Sequence, residues 1–350
     1  MATVLDALVL GGGQAGLAAG YHLRRAGLQF AILEAGDVAS GAWPRYYDSL
    51  RLFSPARYCG LPGLPFPGFP DRYPERDEVA AYLRTYAAHF ALPVRAHSRV
   101  AQVERAGCGF AVATETGERH LARAVIAATG SFGRPHMPVF PGRSAFRGRI
   151  LHAADYRAPG SFRGQRVVVV GAGNSAVQIA VEVARAARVT LASRVPARLV
   201  PQRPLGHDLH AWARLLPVER LPLGAWLPLR EPNVVLDGGP YRRALAAGRP
   251  ERRPLFAGLT PEGVRWTDGD REPVDAIILA TGYRPDMGYL AGLGALDGAG
   301  RPRQRAGVST AVRGLYFVGL PAQRTPVSAT LRGVGPDAAH VVAHLRRAPR

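Results

Sequence analysis

The chain has 350 residues, 47% of them hydrophobic, enough to bury a sizeable core and to suggest two domains. Its formal charge of +19 comes from 45 basic and 26 acidic residues, and every basic residue among the 45 is an arginine. The arginines are scattered, with no dense run beyond pairs such as Arg242-Arg243 and Arg346-Arg347. Nucleic-acid binding is therefore not expected, because such proteins gather charge on one helix or tail with aromatic stacking platforms.

The first predicted element is a buried strand at Ala7–Leu10, followed by Gly11-Gly12-Gly13-Gln14-Ala15-Gly16 and a helix-period stretch through Arg25. A second strand, Phe30–Leu33, ends at Glu34. From Trp43 to Pro74 the chain is rich in Pro, Gly and aromatic residues and reads as an ordered loop over a pocket. A helix is predicted over Asp77–Phe90, then short strands to Ala128. The opening plan then repeats: strand Arg166–Val170, turn Gly171–Ala176, helix Val177–Ala187, strand Val189–Ala192, ending at Ser193-Arg194. The proline-rich stretch Pro196–Pro254, with Trp212 and Trp226, reads as an insertion covering the domain cleft. A strand at Leu315–Val318 and a helix near Asp337–Arg346 close the chain. The fold class expected is α/β with two Rossmann-like units.

Each turn has the chemistry of a dinucleotide site. In Gly11-x-Gly13-x-x-Gly16 the first glycine permits the tight turn, the second lets backbone approach a pyrophosphate, and the third allows close helix–strand packing. The helix start supplies free N–H groups and a positive dipole end to the phosphates. Glu34 stands where an acid accepts hydrogen bonds from a ribose diol, and that context turns a weak motif into a strong one. The second turn, Gly171-x-Gly173-Asn174-Ser175-Ala176, has alanine in the third place, and its strand ends in Ser193-Arg194 instead of an acid. A guanidinium grips a 2′-phosphate that a carboxylate would repel, which favours NADPH over NADH. The competing reading of Arg194, less favoured, is one more solvated arginine. Ala128-Thr129-Gly130 and Ala280-Thr281-Gly282 each end an apolar strand.

Phe146-x-Gly148-x-x-x-His152-x-x-x-Tyr156 resembles the fingerprint of the flavin-containing and Baeyer–Villiger monooxygenases, and tyrosine in the last place resembles the flavin-containing branch. Gly41-Ala42-Trp43, the paired Ala-Thr-Gly segments and Gly314-Leu315-Tyr316-Phe317-Val318-Gly319 extend the resemblance over nearly the whole chain. The likeness implies an FAD-binding domain at 1–155 and 285–350, with an NADPH-binding domain at 156–284 inserted in it. The FAD contacts would fall on Gly11, Gly13, Gln14, Ala15, Gly16, Glu34, Ala42, Trp43, Val100, Thr129 and Gly130. The NADPH contacts would fall on Gly171, Gly173, Asn174, Ser175, Ser193, Arg194, Thr281 and Gly282. It implies a reaction in which NADPH reduces FAD, a flavin C4a-hydroperoxide forms, and one oxygen passes to a sulfide, an amine or some ketones. His152 would stand at the domain crossing, as a structural hydrogen-bonding histidine or with a direct chemical role. Family members carry an asparagine in the loop after Gly-x-Trp; here the stretch is Leu52-Phe53-Ser54-Pro55, and Ser54 is the nearest polar candidate for a catalytic role. That departure resembles a subgroup of small bacterial members with relaxed coenzyme choice, so NADH is an expected second coenzyme.

Three other functions compete. A disulfide reductase would need a CxxC, whereas the two cysteines, Cys59 and Cys108, lie far apart. An NADPH oxidase releasing H2O2 and an FAD-holding redox sensor without turnover stay open. Two lone cysteines fit a reducing cytoplasm. The first apolar run lacks a signal peptide's basic region, and no uninterrupted apolar stretch is long enough for a membrane span. The expected partners are a small-molecule substrate and O2, in a homodimer, with no metal, nucleic acid or membrane.

Overall fold

The computed structural model describes residues 4–215, 221 and 234–348, so Trp226 lies outside the described residues. Strand β1 (Leu5–Leu10) passes through the first glycine turn into α1 (Gln14–Arg25) and returns along β2 (Phe30–Leu33). β1 and β2 pair in parallel, and β2 is buried throughout, as befits a strand covered on both faces. Gly20 lets α1 lie low on the sheet, because a Cβ there would stand 2.7 Å from Ile32 Cδ1. Helix α2 (Arg76–His89) starts at a reciprocal capping box between Glu75 and Glu78. β3 (Val94–Arg95), the antiparallel β4 (Val100–Ala106) and β5 (Gly109–Thr114), and β6 (Arg119–Ala127) follow, and β6 pairs in parallel with β1.

The chain then crosses at β7 (Arg134–Pro135) into a second sheet. Here β8 (Arg149–His152), β9 (Arg166–Val170), α3 (Asn174–Val183) and β10 (Arg188–Ser193) repeat the opening plan. An excursion follows through β11 (Arg198–Pro201), α4 (Leu209–Leu215), β12 (Val234–Asp237) and α5 (Pro240–Ala246). The chain rejoins the sheet at β13 (Glu251–Pro254), forms an antiparallel patch of β14 (Gly258–Leu259), β15 (Gly263–Arg265) and β16 (Arg271–Pro273), and ends the unit at β17 (Ala276–Leu279). The second sheet is parallel throughout, in the order β13-β10-β9-β17-β8. β18 (Tyr283–Arg284) pairs with β7 and carries the chain back. β19 (Gln304–Arg305), β20 (Val308–Ser309) and β21 (Leu315–Phe317) then complete the first sheet beside β6, and α6 (Leu331–Arg347) closes the fold. The second Rossmann-like unit is thus inserted in the first.

Three boundaries differ from the sequence reading. β8 pairs with β17, so the second sheet takes residues ahead of the expected division between 155 and 156. α3 begins at Asn174 rather than Val177, directly on the glycine turn, and ends at Val183. α6 begins at Leu331, six residues before the expected Asp337, because Thr330 caps it with its side chain on Gly333 N. Gly333, Gly335 and Pro336 look like breakers in sequence, yet the glycines serve packing: a Cβ on Gly335 would stand 2.6 Å from Pro62.

Asp337 is fully buried in α6, 3.2 Å from the Arg324 guanidinium. Burial pushes its carboxyl up to about 6, while the Ser328 hydroxyl and Arg324 pull the other way. The native state therefore binds this proton more tightly than the unfolded chain does, and its stabilising effect is full below about pH 4 and lost as pH rises toward 6. Two pH units correspond to about 2.7 kcal/mol. Asp337→Asn should gain stability relative to the parent, by a large part of that amount, between pH 4 and 7. Thermal unfolding across that range measures it, and a constant difference between the two proteins would refute the assignment.

Candidate active site between two glycine turns

The first turn separates what the chain needs from what a ligand needs. Gly11 has φ +107° and a Cβ on it would meet Ala128 O at 2.6 Å; a Cβ on Gly16 would meet Gly11 O at 1.8 Å. Both glycines are dictated by the fold. Gly13 is not, for its φ of −80° suits any residue and a Cβ would touch only Gly41 Cα, at 3.6 Å. It is also the N-cap of α1, with no side-chain cap and no acid in the first turn, so the leading N–H groups of the helix are left for an anion. Buried Glu34 accepts from Gly12 N at 2.6 Å and from Gly36 N at 2.8 Å, which fixes the carboxylate at the turn with acceptor capacity to spare. Ala15 and Gly16 are buried beneath it. Val100 heads β4 two residues past Ser98, whose N–H bonds the Glu34 carbonyl.

The second turn repeats this geometry. Gly171 has φ +148°, and a Cβ on it would meet Ala280 O at 2.4 Å and Ala176 Cβ at 2.9 Å. Gly173 is the N-cap of α3, which has no side-chain cap and no acid in its first turn. Asn174 reaches Val234 O with Nδ2, while its buried Oδ1 has no partner among the described residues. Ser175 lies half-buried in the first turn of α3, with its hydroxyl on Tyr47. Ser193 ends β10 opposite Pro254, and Arg194 beyond it is exposed, with no hydrogen bond or ion pair among the described residues.

The two Ala-Thr-Gly segments are what the turns lean on. Ala128 N donates to Leu10 O and Ala280 N to Val170 O, both at 2.8 Å, so each segment extends a strand beside its glycine turn. Gly130 and Gly282 have φ of +73° and +80° and turn the chain out of its sheet into β7 and β18. Thr129 bonds the Tyr289 hydroxyl at 3.0 Å, and Thr281 donates to His136 O. Both connections between the units therefore form one paired ribbon.

The Phe-x-Gly-x-x-x-His-x-x-x-Tyr run braces that ribbon. A Cβ on Gly148 would meet the Phe146 ring at 2.3 Å and Asp275 O at 2.7 Å, so the run enters β8 tight against the start of β17. His152 is buried; its Nε2 donates to Gly282 O at 3.0 Å, and its Nδ1 accepts from Ala154 N at 3.1 Å. Burial lowers its pKa, with the Gly282 carbonyl acting the other way, so the ring is neutral and both nitrogens are taken up by backbone. Tyr156 is fully buried and donates to Glu182 on α3 at 2.9 Å.

The loop after β2 covers the first turn. Gly41, at φ +58°, presses on Gly13, and Ala42 opens a 3-10 turn in which Trp43 donates Nε1–H to Gln14 Oε1 at 2.7 Å. Gln14 in turn donates to Ala329 O, just ahead of α6. Ser54 is half-buried with its hydroxyl 3.3 Å from the buried Cys59 Sγ. The excursion after β10 meets this loop, because Gln202 Nε2 donates to Phe53 O at 2.9 Å. The buried His210 and the half-buried Asp208 at that contact escaped the sequence reading; their Asp-x-His spacing was the one signal available. Trp212 donates to Pro204 O within the same excursion.

A family model described as pyridine nucleotide-disulphide oxidoreductase matches residues 8–212. A flavin-containing monooxygenase from Stenotrophomonas maltophilia is 35% identical, with a TM-score of 0.87 over 99% of each chain. An uncharacterised oxidoreductase from Geobacillus kaustophilus is 32% identical over 98% of each chain. An indole-3-pyruvate monooxygenase from Oryza sativa is 33% identical over 81% of this chain and 78% of its own. The chain belongs to the flavin-containing monooxygenase family. This flavin monooxygenase is an oxidoreductase whose cofactors are FAD and NADPH. It lacks the paired cysteines of disulfide chemistry, since Cys59 is buried, Cys108 is exposed, and no CxxC occurs. No helix among the described residues is long and apolar enough to cross a membrane.

Proposed function

We propose that FAD lies on the first glycine turn and NADPH on the second, and that the enzyme transfers one oxygen of O2 to a soft nucleophile such as a sulfide or amine. The observation that carries this reading is the pair of uncapped helix N-termini, each beside a glycine turn and both leaning on one ribbon. When bound, FAD supplies the transfer of electrons from NADPH to O2. The N–H groups from Gly11 to Gly16 would hold its pyrophosphate, Glu34 its ribose hydroxyls, and Ala42, Trp43, Val100, Thr129 and Gly130 its flanks. Gly171, Gly173, Asn174 and Ser175 would hold the NADPH pyrophosphate, with Ser193 and Arg194 on the 2′-phosphate and Thr281 and Gly282 toward the nicotinamide. His152 would position Gly282, since neither ring nitrogen is left for a substrate. The FAD domain would comprise residues 1–148 and 285–350, the NADPH domain 149–284, and the enzyme would work in the cytoplasm.

The test is NADPH consumption by the purified yellow protein with an aryl sulfide, counting sulfoxide and H2O2. Sulfoxide in proportion to NADPH supports the reading; peroxide alone makes the protein an oxidase, and no consumption makes it a binding module. Peroxide release has one structural argument: Ser54 offers a single hydroxyl, whose oxygen also lies 3.3 Å from Cys59 Sγ, so it would steady oxygen at the flavin only weakly. Ser54→Ala should raise the fraction of NADPH lost as H2O2 about two- to fivefold, as expected for one lost neutral hydrogen bond, with anaerobic flavin reduction unchanged. Cys59 keeps its contact with Pro55 O, so the loop should hold. An unchanged peroxide fraction would remove Ser54 from the oxygen chemistry.

A further inference from the structure

Where the excursion meets the loop at Phe53, a carboxylate and an imidazole are assembled with unusual care. Asp208 Oδ1 accepts from His210 Nδ1 at 2.7 Å and from His210 N at 2.9 Å; its Oδ2 accepts from the Tyr73 hydroxyl at 2.6 Å and Gln202 Nε2 at 2.8 Å. Burial works against this carboxylate, but the hydrogen bonds from His210, Tyr73 and Gln202 outweigh it and hold its pKa well below the usual range. A permanently ionised Asp208 fixes the tautomer of His210: Nδ1 carries the proton, and the lone pair of neutral imidazole lies on Nε2. Among the described residues the ring's hydrogen bond is made by Nδ1, not Nε2. The ring itself is buried, with Phe53 and Tyr58 each 6.1 Å away and within 24° of parallel to it. Ser54 stands next to Phe53 in the same loop.

We propose that His210 is the base that takes the proton of a small thiol entering beside Phe53 and Ser54, so that the substrate is held as its thiolate. This deepens the reading above by naming a substrate class, and rests on it only for the oxygen transfer that follows. In the step itself the S–H bond breaks, its electron pair stays on sulfur, and an Nε2–H bond forms; nothing is oxidised or reduced. The imidazolium is stabilised by Asp208, a positioning residue that acts through His210. A thiol, with an ordinary pKa of about 8.5, gives up its proton far more readily than an alkylammonium at about 10.4, so of the two soft nucleophiles it is the one a neighbouring base can deprotonate. Aromatic faces also suit a polarisable sulfur. The charged and titratable groups around the ring favour an anion there. Arg203 lies behind Tyr73, and Arg214 stands 5.8 Å from the Tyr58 ring; beyond Ser54 the neighbour is the buried thiol of Cys59.

The test uses the FAD-loaded enzyme under anaerobic conditions without NADPH, titrated at pH 7 with benzyl mercaptan and, separately, with benzyl methyl sulfide, which has no S–H. Thiolate is read from its ultraviolet absorbance and binding from perturbation of the flavin spectrum. The parent should bind the mercaptan with about one thiolate per site. His210→Phe, which keeps an aromatic ring in place, should lower mercaptan affinity at least ten times more than sulfide affinity and abolish the thiolate signal. Asp208→Asn should move thiolate formation to higher pH, and a folded Asp208→Asn protein keeps the question answerable if His210→Phe does not fold. Absence of thiolate in the parent, or equal losses for both ligands, would overturn the proposal. Because neither O2 nor NADPH is present, this outcome is independent of whether oxygen transfer occurs.

Discussion

Gly13→Ala protein is expected to fold like the parent and to lose most of its FAD. The backbone at Gly13 is ordinary, at φ −80° and ψ −172°, and an added methyl would find only Gly41 Cα at van der Waals distance. Nothing in the polypeptide therefore demands glycine there. A pyrophosphate seated on the N-terminus of α1 does demand it, since the methyl would occupy the space through which backbone approaches phosphate. FAD affinity should fall tenfold or more, with each tenfold worth about 1.4 kcal/mol, while circular dichroism and the melting temperature of the apoprotein stay near parental values. Gly16→Ala is the contrasting case. Its Cβ would stand 1.8 Å from Gly11 O, so that variant should fail to fold rather than merely fail to bind. Stoichiometric FAD on folded Gly13→Ala protein would move the cofactor away from this turn.

Arg194→Gln should discriminate between the two coenzymes. Arg194 follows the last residue of β10 and is exposed and unpaired among the described residues, and the proposed NADPH site would put the ribose 2′-phosphate beside it. Removing a charged hydrogen bond to phosphate costs about 1.5–3 kcal/mol, or roughly ten- to a hundredfold in KM for NADPH. NADH carries no 2′-phosphate and should be affected less than twofold. The substitution strips no internal contact, so stability should not change. Equal losses for both coenzymes would place the 2′-phosphate elsewhere.

What could be read from sequence was what the backbone imposes locally. Gly11, Gly16 and Gly171 have positive φ or no room for a Cβ, and such constraints write themselves into fixed spacings. The paired Ala-Thr-Gly segments were visible for the same reason, as strand ends that must turn through Gly130 and Gly282. The start of α6 was misread because Gly333, Gly335 and Pro336 resemble breakers; the two glycines are needed for close approach to Val327 and Pro62, which no local pattern records. The early entry of Arg149–His152 into the second sheet depends on pairing with a strand more than a hundred residues later. Side-chain partnerships across the cleft were the least legible: Gln202 on the Phe53 carbonyl and the Asp208–His210 pair depend on an excursion folding back over a distant loop.

The central claim is that this chain holds two cofactors on either side of one ribbon so that O2 is spent on a bound nucleophile. The most direct measurement is turnover of an aryl sulfide with NADPH under isotopically labelled O2, with mass spectrometry of the sulfoxide. One labelled oxygen atom per sulfoxide, in proportion to NADPH consumed less any peroxide, is the expected result. NADPH oxidised entirely to labelled H2O2, with no label in any organic product, would contradict it.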